Sequence, residues 1–472
     1  MTRFREFAYS PYFNKHEGVK ALIDYLWKLY PDFTEKRCDR HKIFATLFPE
    51  EIHNQAKLAV LFTYALRLLQ QFLQVEVAHQ HSAQGQLYLL QALRDRQQHP
   101  HYEKILAKTE SMLEKASRRD SHYFRQQFLL ATEADAYYTD TQSRKHDHNI
   151  QWRQNNLDRF YLAEKLRDAC EMHVRSQILK VDYSTRLWET VLREVKENLP
   201  TYQQVPAIYI YFLIYQMLTE QTSQHYFEAL NTLKRVASFF ELEEQKTLYN
   251  YLQNYCIHQI NTGNAAFLQE IFHLYKMQLE GNLMIEEGYL SEWHYKNIVT
   301  TGIRLNEMDW VFSFIETYKH KLEPEAMDNA YRFNLASYYY ATQQYDQVLS
   351  LLLQVEYSDL RYSLGAKALL LRTYYDLEET EALLSLCDSF RQYLLRNKLM
   401  ADNRRVGYSN LFKLTKRAAI LRSNIGFTAT KRLNKEMNRL KTDIDRATIF
   451  NRLWLVQKWE ELDKSLQLNT NT

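Results

Sequence analysis

Tyr331, Leu335, Tyr338, Tyr339 and Thr342 recur every three or four positions, and after the polar break ATQQ so do Tyr345, Val348, Leu349, Leu352 and Leu353. Residues at that spacing share one face of an α-helix, so the stretch predicts two antiparallel helices joined by a tight connection. Elsewhere Leu58, Leu61, Phe62, Ala65, Leu69 and Phe72 place one apolar stripe on a long helix. Leu433, Met437, Leu440 and Ile444 place another on a helix whose Lys431, Arg432, Lys435 and Arg439 point away from it. Amphipathic helices are also expected over about 121–138 and 152–177, joined by SRKHDHN. AIYIYFLIYQML, from Ala207 to Leu218, is apolar on all sides and too short for a membrane span, which fits a buried helix.

The first eighty residues carry their own punctuation. Ser10 followed by Pro11 predicts a helix start, because serine caps free amides and proline suits a first turn. A helix over about 17–29 should stop before Pro31, and a shorter one before Pro49. Glu50, Glu51, Ile52 and His53 are expected to open the long helix. Their acidic character does not suit a DNA-reading helix-turn-helix, whose second helix starts with a basic, polar face. Pro200 and Pro206 mark the expected hinge further on.

Composition narrows the class. Only 9 Gly and 7 Pro occur in 472 residues, whereas sheets and phosphate-cradling loops draw on both residue types at their turns. The expected fold class is therefore all-α. The 35 Tyr and 24 Phe suit half-buried helical faces, where a ring packs and a hydroxyl reaches water.

Leu335, Ala336 and Tyr339 stand where the tetratricopeptide repeat has Leu, Gly and Tyr of its first helix, and Tyr345 and Val348 where it has Tyr and Ala of its second. In the next unit Leu370, Tyr374, Leu383 and Cys387 match, with Thr380 replacing the second-helix aromatic. NEMDW (306–310), GNAAF (263–267) and QHYFEAL (224–230) are similar to the same junction. The region 201–390 thus resembles a degenerate tetratricopeptide-repeat array. Its junction residues, Tyr226, Phe267, Trp310, Tyr345 and Thr380, are spaced 41, 43, 35 and 35 apart, and the proline expected at each repeat end is missing apart from Pro324.

This resemblance implies a right-handed α-solenoid of antiparallel helix hairpins, with a helical cap over 1–80, further hairpins over 81–200 and basic helices over 391–472. It also implies a groove lined by outward positions of the first helices: Tyr295 and Ile298, Phe333 and Tyr340, Arg372 and Tyr375. Aromatic and Arg residues are common anchors for partners, although Phe333 and Tyr340 serve equally well as packing between repeats. SPYFNK and YPDF resemble the start of a family of uncharacterised helical proteins from Bacteroidota-type bacteria, which implies no activity. The same segment reads independently as a cap for the first exposed end of a stack.

Net charge is only +3 but unevenly spread. From Arg391 to Arg452 there are sixteen Lys or Arg against four Asp or Glu. Arg404, Arg405, Lys416, Arg417, Lys431, Arg432, Lys435 and Arg439 form the candidate basic face. Such a face solvates the last helices, neutralises the acidic remainder, receives an acidic protein partner, or attracts RNA or DNA phosphates. Tyr408, Phe412 and Phe427 are placed to stack bases, though Phe412 beside Leu411 and Leu414 reads more readily as core.

The pairs His79 and His81, His99 and His101, and His146 and His148 read as exposed histidines, because a stable metal site needs three or four ligands. Cys38, Cys170, Cys256 and Cys387 are too far apart for a metal or redox motif and read as buried thiols. Phosphate-loop, dinucleotide, zinc-protease and nucleophile-elbow motifs are missing, so no catalytic residue, metal or cofactor is expected. MTRFREFAYSPYF has no signal-peptide core, which with the rest points to the cytoplasm and away from a membrane. The expectation is a non-catalytic binding or scaffold protein holding a protein or peptide partner. The alternative is nucleic-acid association through the basic carboxy-terminal helices.

Overall fold

A computed structural model describes residues 1–80, 82–141, 147–353, 360–396 and 402–470. These are almost wholly helical, with one two-stranded ribbon among the described residues. The ribbon pairs Ile285 with Leu290 and Glu286 with Tyr289. Its turn residues Glu287 and Gly288 both have positive φ (50° and 92°), the conformation that a two-residue hairpin needs.

The chain separates into two compact units, Met1–Glu241 and Leu242–Thr472. That division falls inside 201–390 and not at the paired prolines. Pro200 and Pro206 sit in the first turns of helices Leu199–Tyr202 and Pro206–Glu220, where a missing N–H breaks no helical bond. Helix Pro206–Glu220 buries Ala207 through Ile214, with Met217 and Leu218, against Asp147–Leu179 and Ser223–Val236. By packing on helices from both sides of the prolines it ties the two stretches together, so the prolines do not mark a hinge.

In the first unit, helices Thr2–Tyr9, Glu17–Leu29, Arg40–Leu47 and Gln55–Gln80 enclose Phe4, Leu22, Ile23, Phe44, Leu61 and Leu68. Ser10 ends a helix here and does not start one. Its backbone is extended and its N–H donates to the Phe7 carbonyl, while the proline after it cannot continue the helix. The long helix begins after Glu50–His53, where the Asn54 side chain accepts the Lys57 N–H. Helices Ser82–Asp95, His99–Glu114 and Ser121–Asp140 pack around Leu90, Tyr102 and Tyr137, the two rings stacking at 3.8 Å. Ser121–Asp140 then packs along Asp147–Leu179.

The second unit is a run of helix pairs: Leu242–Asn261 with Phe267–Glu280, Glu292–Arg304 with Met308–Tyr318, Pro324–Ala341 with Tyr345–Leu352, and Leu360–Asp376 with Thr380–Arg396. Asp402–Ser423, Thr430–Arg446 and Arg452–Thr470 follow. Phe267, Trp310, Tyr345 and Thr380 each fall within the first turn of the second helix of a pair. The turns share one hydrogen-bond pattern. Asn264, Glu307, Gln344 and Glu379 donate their N–H to Gln259, Gly302, Tyr339 and Tyr374 at 2.8–3.0 Å. The preceding residue is left-handed in every case: Gly263, Asn306, Gln343 and Glu378. This is the Schellman ending, which turns the chain back while satisfying the last carbonyls.

First helices of successive pairs also touch, from Glu292–Arg304 to Pro324–Ala341, then Leu360–Asp376, then Asp402–Ser423. The apolar stripe Leu433, Met437, Leu440 and Ile444 is buried in the core that they complete.

Candidate functional site

Helices Thr380–Arg396 and Asp402–Ser423 lie side by side, and their contact is held by apolar and polar pairs. Phe390 and Phe412 stack with ring centres 3.7 Å apart. The Cys387 thiol donates to the Phe412 carbonyl at 3.6 Å, and burial pushes that thiol up to about 12, so it stays protonated at neutral pH. Lys416 Nζ lies 2.7 Å from Asp388 Oδ1.

Above this contact runs a groove of about 890 Å³. Phe390, Phe412 and Leu394 form its floor. Leu395 and Val406, 62% and 47% exposed, form apolar shoulders open to water. Arg391, Arg405, Lys413 and Lys416 stand around them with one carboxylate, Asp388. An apolar trough with a cationic margin suits an occupant that is greasy on one side and anionic at its edges.

The six residues expected to line a first-helix groove are placed differently. Tyr295 and Ile298 are fully buried, the Tyr295 hydroxyl donating to the Ile315 carbonyl at 2.9 Å. Phe333 is buried against Tyr362 of the next pair, under the Lys296 ammonium 5.1 Å from its ring. Tyr375 is buried too; its carbonyl accepts from Arg422 and its ring lies 4.2 Å below that guanidinium. The Tyr340 hydroxyl donates to Asp376 at 2.5 Å, while Arg372 covers the Tyr340 ring at 4.2 Å. Ile298 is simply core, and the other five hold one helix to another. Tyr295 faces the second helix of its own pair, whereas Phe333, Tyr340, Arg372 and Tyr375 lie where first helices of successive pairs meet.

The basic residues divide by what they do. Lys416 and Arg417 are paired to Asp388 and Asp443, and Arg439 to Glu436 at 2.6 Å. Arg404 and Arg405 are exposed, and Arg405 borders the groove. Lys431, Arg432 and Lys435 are exposed and form no ion pair among the described residues. Of the candidate stacking rings, Phe412 is core, Tyr408 stacks on Phe450 at 4.5 Å, and Phe427 is open to solvent.

His79, His99 and His101 are exposed, whereas His81 and His146 lie outside the described residues. No group of three potential metal ligands occurs among the described residues. Cys170, Cys256 and Cys387 are buried free thiols, and Cys38 is partly exposed.

Sequence reasoning counted the cations of this region and missed Arg391, Leu394, Leu395, Val406 and Lys413 as one site. Their signal was present in part, since an apolar residue and a cation adjoin on each helix, but nothing in a linear pattern pairs the two helices. Comparison with known proteins finds no matching family model, no similar curated protein and no similar solved structure.

Proposed function

We propose that this is a non-catalytic binding protein that receives an acidic, amphipathic helix or peptide of a partner protein in the groove between Thr380–Arg396 and Asp402–Ser423. The observation that carries the reading is the aromatic floor with half-exposed Leu395 and Val406 shoulders under four cations. A helix laid into such a groove exchanges wet apolar surface for contact, and its carboxylates meet Arg391 and Lys413 without full desolvation. The second unit supports this as a right-handed α-solenoid in which each hairpin leans on the next. Its successive first-helix contacts and its repeated Schellman turns favour that arrangement.

The test is fluorescence polarisation with a labelled synthetic helix carrying Leu at i, i+3, i+4 and i+7 and Glu at the flanks. Binding should weaken with salt and fall at least about tenfold in Val406→Glu and in Arg391→Glu with Lys413→Glu. A companion helix with Lys for Glu should bind worse. Equal binding of both helices, or parent-like binding by both variants, overturns the assignment.

One observation favours a second reading. Lys431, Arg432 and Lys435 stand exposed in the opening turns of Thr430–Arg446, where free amides and the helix dipole add to their positive field. A mixed-sequence RNA oligonucleotide that binds at low salt, and is lost on charge reversal of these three, would place nucleic acid ahead of the peptide.

A further inference from the structure

Helix Gln55–Gln80 is apolar on two opposite faces. Leu58, Leu61, Ala65 and Leu68 enter the core of the first unit. On the other side Ala59, Thr63, Leu66, Gln70, Leu73 and Val77 are all exposed. Leu66, Leu73 and Val77 are 56%, 52% and 50% accessible, high values for large aliphatic side chains. The six positions step alternately by four and three residues, the seam of a two-stranded coiled coil, with one amide, Gln70, in its middle.

We infer that this seam is where two copies of the chain associate, helix against helix. By length and composition the stretch Gln55–His79 is also apolar enough to cross a bilayer, so the occupant must be argued. One apolar face is already committed to packing, and four neighbouring helices contact this one. Gln70 would carry an unpaired amide into hydrocarbon, a burial without compensation. Between two copies in parallel register it meets the other Gln70, the use to which an amide in such a seam is put. The seam runs ~27 Å at the helical rise and is ~10 Å wide, giving a contact well below the ~800 Å² per partner of a standard interface. The dimer is therefore reversible and depends on concentration.

Sedimentation velocity of the full chain over a hundredfold concentration range tests this. A monomer–dimer equilibrium is expected for the parent. Leu66→Glu with Leu73→Glu should remain monomeric throughout with unchanged helical circular dichroism, since both positions are already in water. Gln70→Leu should tighten association by about tenfold or more, as removal of a polar seam residue does. Parent protein that stays monomeric at every concentration overturns the inference. So does a double variant that associates like the parent, or a monomer that sediments with phosphatidylcholine–phosphatidylglycerol vesicles through this helix.

Discussion

Helices Gln55–Gln80 and Thr430–Arg446 each bury one apolar stripe in the core of their own unit, and they differ in what they turn outward. The first presents Leu66, Leu73 and Val77; the second presents Lys431, Arg432 and Lys435. A charged outer face is at rest in water, whereas a second aliphatic face is not. The groove beside Asp402–Ser423 combines the two, with an apolar trough inside a charged margin. Amphipathicity on one face tells how a helix docks in its own fold; the opposite face tells whether anything else is to dock on it.

The comparison can be broken most forcefully in the cores. Leu440→Ala removes a fully buried side chain and should cost about 2–5 kcal/mol in urea unfolding. Leu66→Ala, measured at concentrations where the chain is monomeric, should stay within about 0.5 kcal/mol. Comparable losses would mean that Leu66 is enclosed. Next in size is the effect of Val406→Glu on peptide affinity, about tenfold or more, with little change in the denaturation midpoint.

A smaller effect concerns acid. The hydrogen bond from Arg417 holds the Asp443 carboxyl below its ordinary range, clipping Asp402–Ser423 to Thr430–Arg446. Because the folded group is the stronger acid, its contribution is complete above the ordinary carboxylate range and is lost as pH falls through the folded value. Asp443→Asn should therefore flatten the acid limb of a stability profile and leave neutral pH nearly unaffected, since the pair is exposed. An identical acid limb in parent and variant would exclude the clip. Smallest is the turn: Gln343→Gly relieves a left-handed residue (φ 60°) and should raise stability by about 0.5–1 kcal/mol in thermal melts.

Much of the helix pattern was legible. The pair around ATQQ, the stripe at Leu433 to Ile444 and the stop before Pro31 arise from local periodicity and from proline sterics, which act within a few residues. The Schellman turns were only half legible. Gly263 and Asn306 announce a left-handed residue, but Gln343 and Glu378 occupy the same geometry and carry no such signal. Ser10 misled because serine before proline suits either end of a helix, and only the extended backbone there decides.

The site was the least legible part. Tyr340 and Arg372 look like anchors in a linear pattern, yet each ring or guanidinium is taken up by Asp376, Trp454 or the other. Conversely Leu395 and Val406 look like core and stand in water, beside a groove whose floor is the Phe390–Phe412 contact.

Hydrogen exchange of the full chain with and without the acidic amphipathic helix tests the central claim most directly. Slower exchange confined to Thr380–Arg396 and Asp402–Ser423, with Glu292–Arg304 and Pro324–Ala341 unchanged, is the predicted result. Protection centred on those two first helices, or none anywhere at saturating peptide, would contradict it.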